Sequence, residues 1–132
     1  MVLAGTHEGS DEQFGIAMTR ARMAELMAGA LEPRLADPAF TVGLVSALDL
    51  LLQAPLSTIV QKLSLSAELE DALLGRDGLL GAVLTDVLAW EVGGGDLQLR
   101  SGLFATEVES DYLQALAWAT QICGLLDLTA AS

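Results

Sequence analysis

The side chains able to do chemistry are few, and most lack the company that chemistry needs. The sequence holds one histidine and one cysteine, His7 and Cys123. A histidine-based metal site needs further ligands at fixed spacing. His7 has none nearby in the sequence, and it reads as a solvent-exposed residue in a loop-like N-terminal segment. Cys123 lies in the largely apolar run 119–126 and reads as a buried, inert thiol, not a nucleophile. Carboxylates cluster at Glu68, Glu70 and Asp71 and again at Glu107, Glu109 and Asp111. Acid–base catalysis needs such groups driven to different pKa values by burial or neighbours. These clusters fall at predicted helix starts, where capping and the helix dipole account for them.

Asp49 and Asp86 differ, because each sits within an apolar helix. Either they lie on narrow exposed stripes or they are paired inside the bundle. The first is favoured, since unpaired acids are rarely buried. Gly93-Gly94-Gly95 is no phosphate cradle: a helix precedes it and Asp96 follows, where such loops need a strand and a lysine or fixed glycine spacing. Trp90 and Trp118 fall on helices, with Glu91 beside the first. Core packing is their expected role, although Trp is also enriched at interaction hot spots. Trp90, Glu91, Tyr112 and Trp118 are therefore the candidate interaction or pocket residues. No catalytic residue, metal ligand or cofactor-binding residue is assigned.

The 132 residues are 52% hydrophobic and 18% charged, with 18 acids against 6 bases for a net charge of −12. The bases are scattered, so the basic footprint that nucleic acid requires is absent. An anionic membrane surface is repelled for the same reason. With a lone cysteine no internal disulfide forms, and a reducing, cytoplasmic compartment is expected. The N-terminus lacks a positive n-region and a long apolar run, so it is not read as a signal peptide. The longest apolar stretch, 39–56, contains Asp49, Gln53 and Pro55. A span needs ~20 apolar residues with few charges, so the stretch reads as core helix.

Periodicity supplies the elements. Ser10 caps a first helix, with Gln13 three residues later as in a capping box. Its apolar stripe is Phe14, Ala17, Met18, Ala21, Ala24, Ala28 and Leu31, widened by Met23 and Met27. Pro33 stops it. Asp37 caps a second helix with Pro38 at its first position, running to about Gln53. Pro55 opens a short helix to Leu63. Ser66 caps the next, and Gly75 ends it. A further helix covers 79–92, then 93–106 reads as a loop with an extended piece at Leu97 and Leu99. The last helix covers 107–127. It buries Tyr112, Leu113, Leu116, Ala119, Ile122, Cys123 and Leu126. The pattern predicts an all-α helical bundle of about five to six helices in one domain.

Several segments together resemble a known family. They are Thr19-Arg-Ala-Arg-Met-Ala-Glu-Leu-Met27, Ala39-Phe-Thr-Val-Gly-Leu-Val-Ser-Ala-Leu-Asp-Leu-Leu-Leu-Gln-Ala-Pro-Leu56, Leu63-Ser-Leu-Ser-Ala-Glu-Leu-Glu-Asp-Ala-Leu-Leu-Gly75, Gly78-Leu-Leu-Gly81, Leu88-Ala-Trp-Glu91 and Ala115-Leu-Ala-Trp-Ala119. The set resembles the C-terminal half of an HDOD domain, the HD-related output domain of bacterial signalling proteins. It is most similar to the variant that follows an EAL domain, the cyclic di-GMP phosphodiesterase module. The resemblance spans residues 18–119, and 40–56 is its most specific part.

The resemblance implies an HD-superfamily-like fold without the metal-binding His and Asp set, and a regulatory role. No catalytic residue carries over. No EAL segment is present, so cyclic di-GMP hydrolysis is not assigned. The first HDOD helices have no counterpart, and residues 1–5 resemble the end of a preceding helix. A single domain over 1–132, part of a larger HDOD domain, is expected. Its function would be non-catalytic protein contact, with an EAL-type domain or another protein as partner. An uncovered apolar face would favour a homodimer. Two alternatives are a degenerate HD-type metal-dependent nucleotide phosphohydrolase and a bundle that senses an apolar ligand, with Trp90 or Trp118 lining its pocket.

Overall fold

A computed structural model of the chain describes residues 2–93 and 99–131, with side chains over 12–93 and 99–125. The elements are α1 (Val2–Leu31), a 3-10 turn (Pro33–Leu35), α2 (Ala36–Ser46), α3 (Leu48–Leu52), α4 (Leu56–Leu63), α5 (Ala67–Gly75), α6 (Gly78–Gly93) and α7 (Ala105–Ala131). No strand occurs among the described residues. The chain is an all-α bundle, as expected, with seven α-helices among the described residues, two of them pieces of the predicted second helix.

The extra helix comes from a break. The predicted second helix divides at Ala47, whose N–H turns to the carbonyls of Leu44 and Val45. This tightening of the last turn is 3-10-like. Gln53 then ends α3 in the left-handed region, at φ 52°. Helix α2 also begins earlier than predicted. Asp37 caps nothing; the 3-10 turn feeds straight into the helix, and Asp37 lies in its first turn. Helix α1 likewise starts at Val2, not at Ser10, so His7 lies in helix and not in a loop. A capping box is a local preference, and α1 runs through Gly5 and Gly9 despite the weak helix propensity of glycine.

Other signals are realised as predicted. Pro33 stops α1 and opens the 3-10 turn. Pro55 precedes α4, its carbonyl accepting from the N–H groups of Thr58 and Ile59. Ser66 caps α5, its Oγ accepting from the Leu69 N–H at 3.4 Å. The left-handed residue after α5 is Arg76 (φ 57°), not Gly75. Glycine is needed instead across the junction, at Gly81, where any Cβ would fall inside the Arg76 carbonyl group.

Helix α1 brings Ala17, Ala21, Ala24, Ala28, Met23 and Met27 into the core. Its small side chains let α2 approach closely. A Cβ on Gly43 would lie 2.8 Å from Ala21 Cα and from the Arg20 carbonyl oxygen. Pro33–Leu52 is long and apolar enough to cross a membrane by length and composition. Here it is divided among the 3-10 turn, α2 and α3, and Ala39, Val42 and Val45 enter the core.

Asp86 overturns the favoured expectation of an exposed stripe. It is 1% exposed. Its Oδ1 accepts from the Arg100 N–H and its Oδ2 from the Ser101 N–H, both at 2.7 Å. A buried carboxylate is tolerated when donors saturate it, and here it ties the segment before α7 to the middle of α6. Asp49 is half-buried, and its Oδ1 has no hydrogen-bond partner among the described residues. Helix α7 buries Val108, Ala115 and Ala119. Leu113 and Leu116, predicted inside, are exposed. Among the helices, α7 packs chiefly on α1, so much of its circumference faces outward. Leu126, Leu97 and the glycine run after Gly93 lie outside the described side chains.

Candidate functional site

The spacing of residues on α1 and α7 sets up the site. On α1, Glu12, Gly15, Ile16 and Thr19 share one face at helical spacing. On α7, Tyr112, Leu116, Ala119, Thr120, Cys123 and Gly124 do the same. Between these faces runs a groove of about 510 Å³, and Glu91 at the end of α6 completes its wall. Small-molecule sites are commonly ~300–1,000 Å³, so the groove is of ligand size. The two helices run antiparallel across it. Gly15 and Cys123 face each other, a Gly15 Cβ lying 3.8 Å from the Cys123 Sγ.

Glu91 is fixed from behind by Arg20. Arg20 Nη2 donates to Glu91 Oε2 at 2.7 Å and Nε to Oε1 at 3.3 Å. Its Nη1 donates to the Ser46 carbonyl at 3.2 Å and to Ser46 Oγ at 3.4 Å. Ser46 Oγ in turn donates to the Gly43 carbonyl at 2.7 Å. A guanidinium that is only 7% exposed thus joins α1, α2 and α6. The two-pronged pairing is the strong form of this contact.

Two of the four sequence candidates come together and two do not. Glu91 and Tyr112 line the groove; Trp90 and Trp118 do not. Trp90 is half-buried and packs on the core. Trp118 meets Phe40 edge-on, ring centroids 6.1 Å apart at 84°. The Arg22 guanidinium lies 5.7 Å from its ring centre. Trp118 therefore fastens α7 to α1 and α2. Cys123, expected buried, is half-buried on the groove wall.

Sequence reasoning missed Arg20, counted only among scattered bases. The usable signal was a charge embedded in the Ala17–Ala21–Ala24 stripe, matched by Glu91 at the end of an apolar helix. Such charges call for a partner.

Two groups nearby have displaced pKa values. Desolvation first, then the charge of Glu107, pushes the Asp111 carboxyl above the usual range. Desolvation first, then Arg20, holds the Arg76 guanidinium below its ordinary value. Among its described lining residues the groove carries a thiol, a phenol and two carboxylates, but no Lys, Arg or His. A nucleophilic cysteine needs a base or cation beside it. Among the described residues no group of three or more His, Cys, Asp and Glu side chains is placed to hold a metal ion. The size and mixed lining of the groove suit it to binding a small molecule. No family model, curated protein or solved structure matches the chain.

Proposed function

We propose that this chain is a non-catalytic regulatory module that acts by contacting other protein. In this reading it is an HD-superfamily-like bundle of the HDOD type, drawn from a cytoplasmic, cyclic di-GMP-linked signalling protein. Its partner is a second copy of itself or an EAL-type domain. One observation carries the reading: large apolar side chains at the end of α6, just before α7 and on α7 stand in solvent. Val92 is 88% exposed, Phe104 73% and Leu113 56%. Burying such side chains is favourable by about 1.5–3 kcal/mol each, which favours their contact with other protein. The resemblance over residues 18–119 supplies the regulatory context.

Light scattering across a concentration series tests it. The expected result is a dimer that forms at tens of micromolar and dissociates in the Phe104→Lys/Leu113→Lys double variant. A strictly monomeric mass, with no complex formed by an added EAL domain, removes the reading.

A further inference from the structure

We propose that the α1–α7 groove is a binding site for a small amphipathic cation, an aliphatic amine whose apolar body lies along the groove and whose ammonium group meets its carboxylates. None of Val92, Phe104 and Leu113 lines the groove, so the proposal is tested apart from that contact.

The first argument is an inventory of donors and acceptors. Glu12 offers its carboxylate oxygens to the groove, and Glu91, whose oxygens already accept from Arg20, offers their remaining lone pairs. Thr19 and Thr120 offer hydroxyls whose protons are already committed. Thr19 Oγ1 donates to the Gly15 carbonyl and Thr120 Oγ1 to the Leu116 carbonyl, each at 2.8 Å. Their remaining capacity is to accept. Tyr112 is the one strong side-chain donor among the described lining residues. Ile16, Leu116, Ala119 and Cys123 supply apolar wall. A complementary ligand brings donors, positive charge and hydrocarbon. Phosphate-bearing ligands, cyclic dinucleotides included, are repelled by the same walls and by a chain of net charge −12.

The second argument comes from two glycines. Gly15 and Gly124 sit inside helices and line the groove. Glycine there weakens a helix relative to alanine. The described packing does not demand it. Among the described residues a Cβ at Gly124 would meet nothing within 4 Å, and one at Gly15 only the Cys123 Sγ at 3.8 Å, an ordinary contact. What the missing side chains preserve is open space.

The third argument is length. Glu12 lies seven residues, roughly 10 Å of helix, before Thr19 on the same groove face. An eight-carbon chain has a similar reach.

Titration calorimetry with 1,8-diaminooctane, 1,8-octanediol and octanedioate isolates charge at constant length. The diamine is expected to bind about tenfold more tightly than the diol, and the dioate not at all. Amide shifts on diamine addition should fall on residues 12–19 and 112–124. Glu12→Gln, at an exposed position, should weaken the diamine several-fold and leave the diol unchanged. Gly124→Leu should abolish binding with no loss in Tm. Equal affinity for diamine and diol, binding of the dioate, no diamine binding at millimolar concentration, or undiminished binding by Gly124→Leu would each overturn the proposal.

Discussion

The close junctions of this bundle and its α1–α7 seam both contain helical glycines, but for opposite reasons. At the α1–α2 junction Gly43 lies so near the Ala21 backbone that a single methyl group would collide with it. At the α5–α6 junction Gly81 is held against Arg76 in the same way. Across the seam, Gly15 and Gly124 have room to spare among the described residues. Glycine at the junctions makes contact, and glycine at the seam withholds it. Arg20 stands between the two regions. Its guanidinium locks α1, α2 and α6 together, while the Glu91 it holds faces the groove. The packed side supplies the rigidity on which an open groove depends.

That contrast can be broken most forcefully at Gly81. Gly81→Ala places a methyl group into backbone, and overpacking of this kind should destabilise the fold by about 3 kcal/mol, read as a drop in the urea midpoint. Gly43→Ala, with its contacts at 2.8 Å, should cost about 2 kcal/mol. If either substitution is neutral, the junctions are not close-packed and the contrast fails.

Arg20→Met is the next smaller test. It keeps much of the apolar stem but removes the donors that hold Ser46 and Glu91. Glu91 retains 36% side-chain exposure and can hydrate, so about 1–2 kcal/mol is expected instead of the full penalty of a stranded buried charge. Chemical denaturation of the variant measures it.

The smallest effect lies in the second turn of α7. Desolvation first, then the charge of Glu107, pushes the Asp111 carboxyl above the usual carboxylate range. The folded state therefore favours the protonated form more than the unfolded state does. The ionised carboxylate is a liability at neutral pH, and stability recovers as pH falls through the raised folded value. Asp111→Asn should raise Tm slightly at pH 7. The gain should vanish below the unfolded value. A gain that persists in acid, measured by thermal melts across pH, contradicts the assignment.

Much of the architecture was legible because it depends on local signals. Pro33, Pro55 and Ser66 act within a turn of themselves, and the alanine stripe of α1 follows from a helical period. The errors share a cause, which is that the deciding partner is distant in sequence. Asp86 is buried because Arg100 and Ser101 bring it backbone donors. Leu113 and Leu116 are exposed because α7 finds a neighbour on one side and not all round. The break at Ala47 answers to packing that apolarity alone does not encode. For the site, Glu91 and Tyr112 were identified from residue type. Arg20, Gly15 and Gly124 were not, since their meaning appears only once α1, α6 and α7 are side by side.

The central claim is that the seam gives up stability to stay open. The most direct measurement is made on one protein, the Gly15→Ala/Gly124→Ala double variant, by urea unfolding and by calorimetry with 1,8-diaminooctane. Each alanine should strengthen its helix by about 0.5–1 kcal/mol. Stability should therefore rise while diamine affinity falls. A double variant that loses stability, or that gains it while binding the diamine as well as before, would contradict the account.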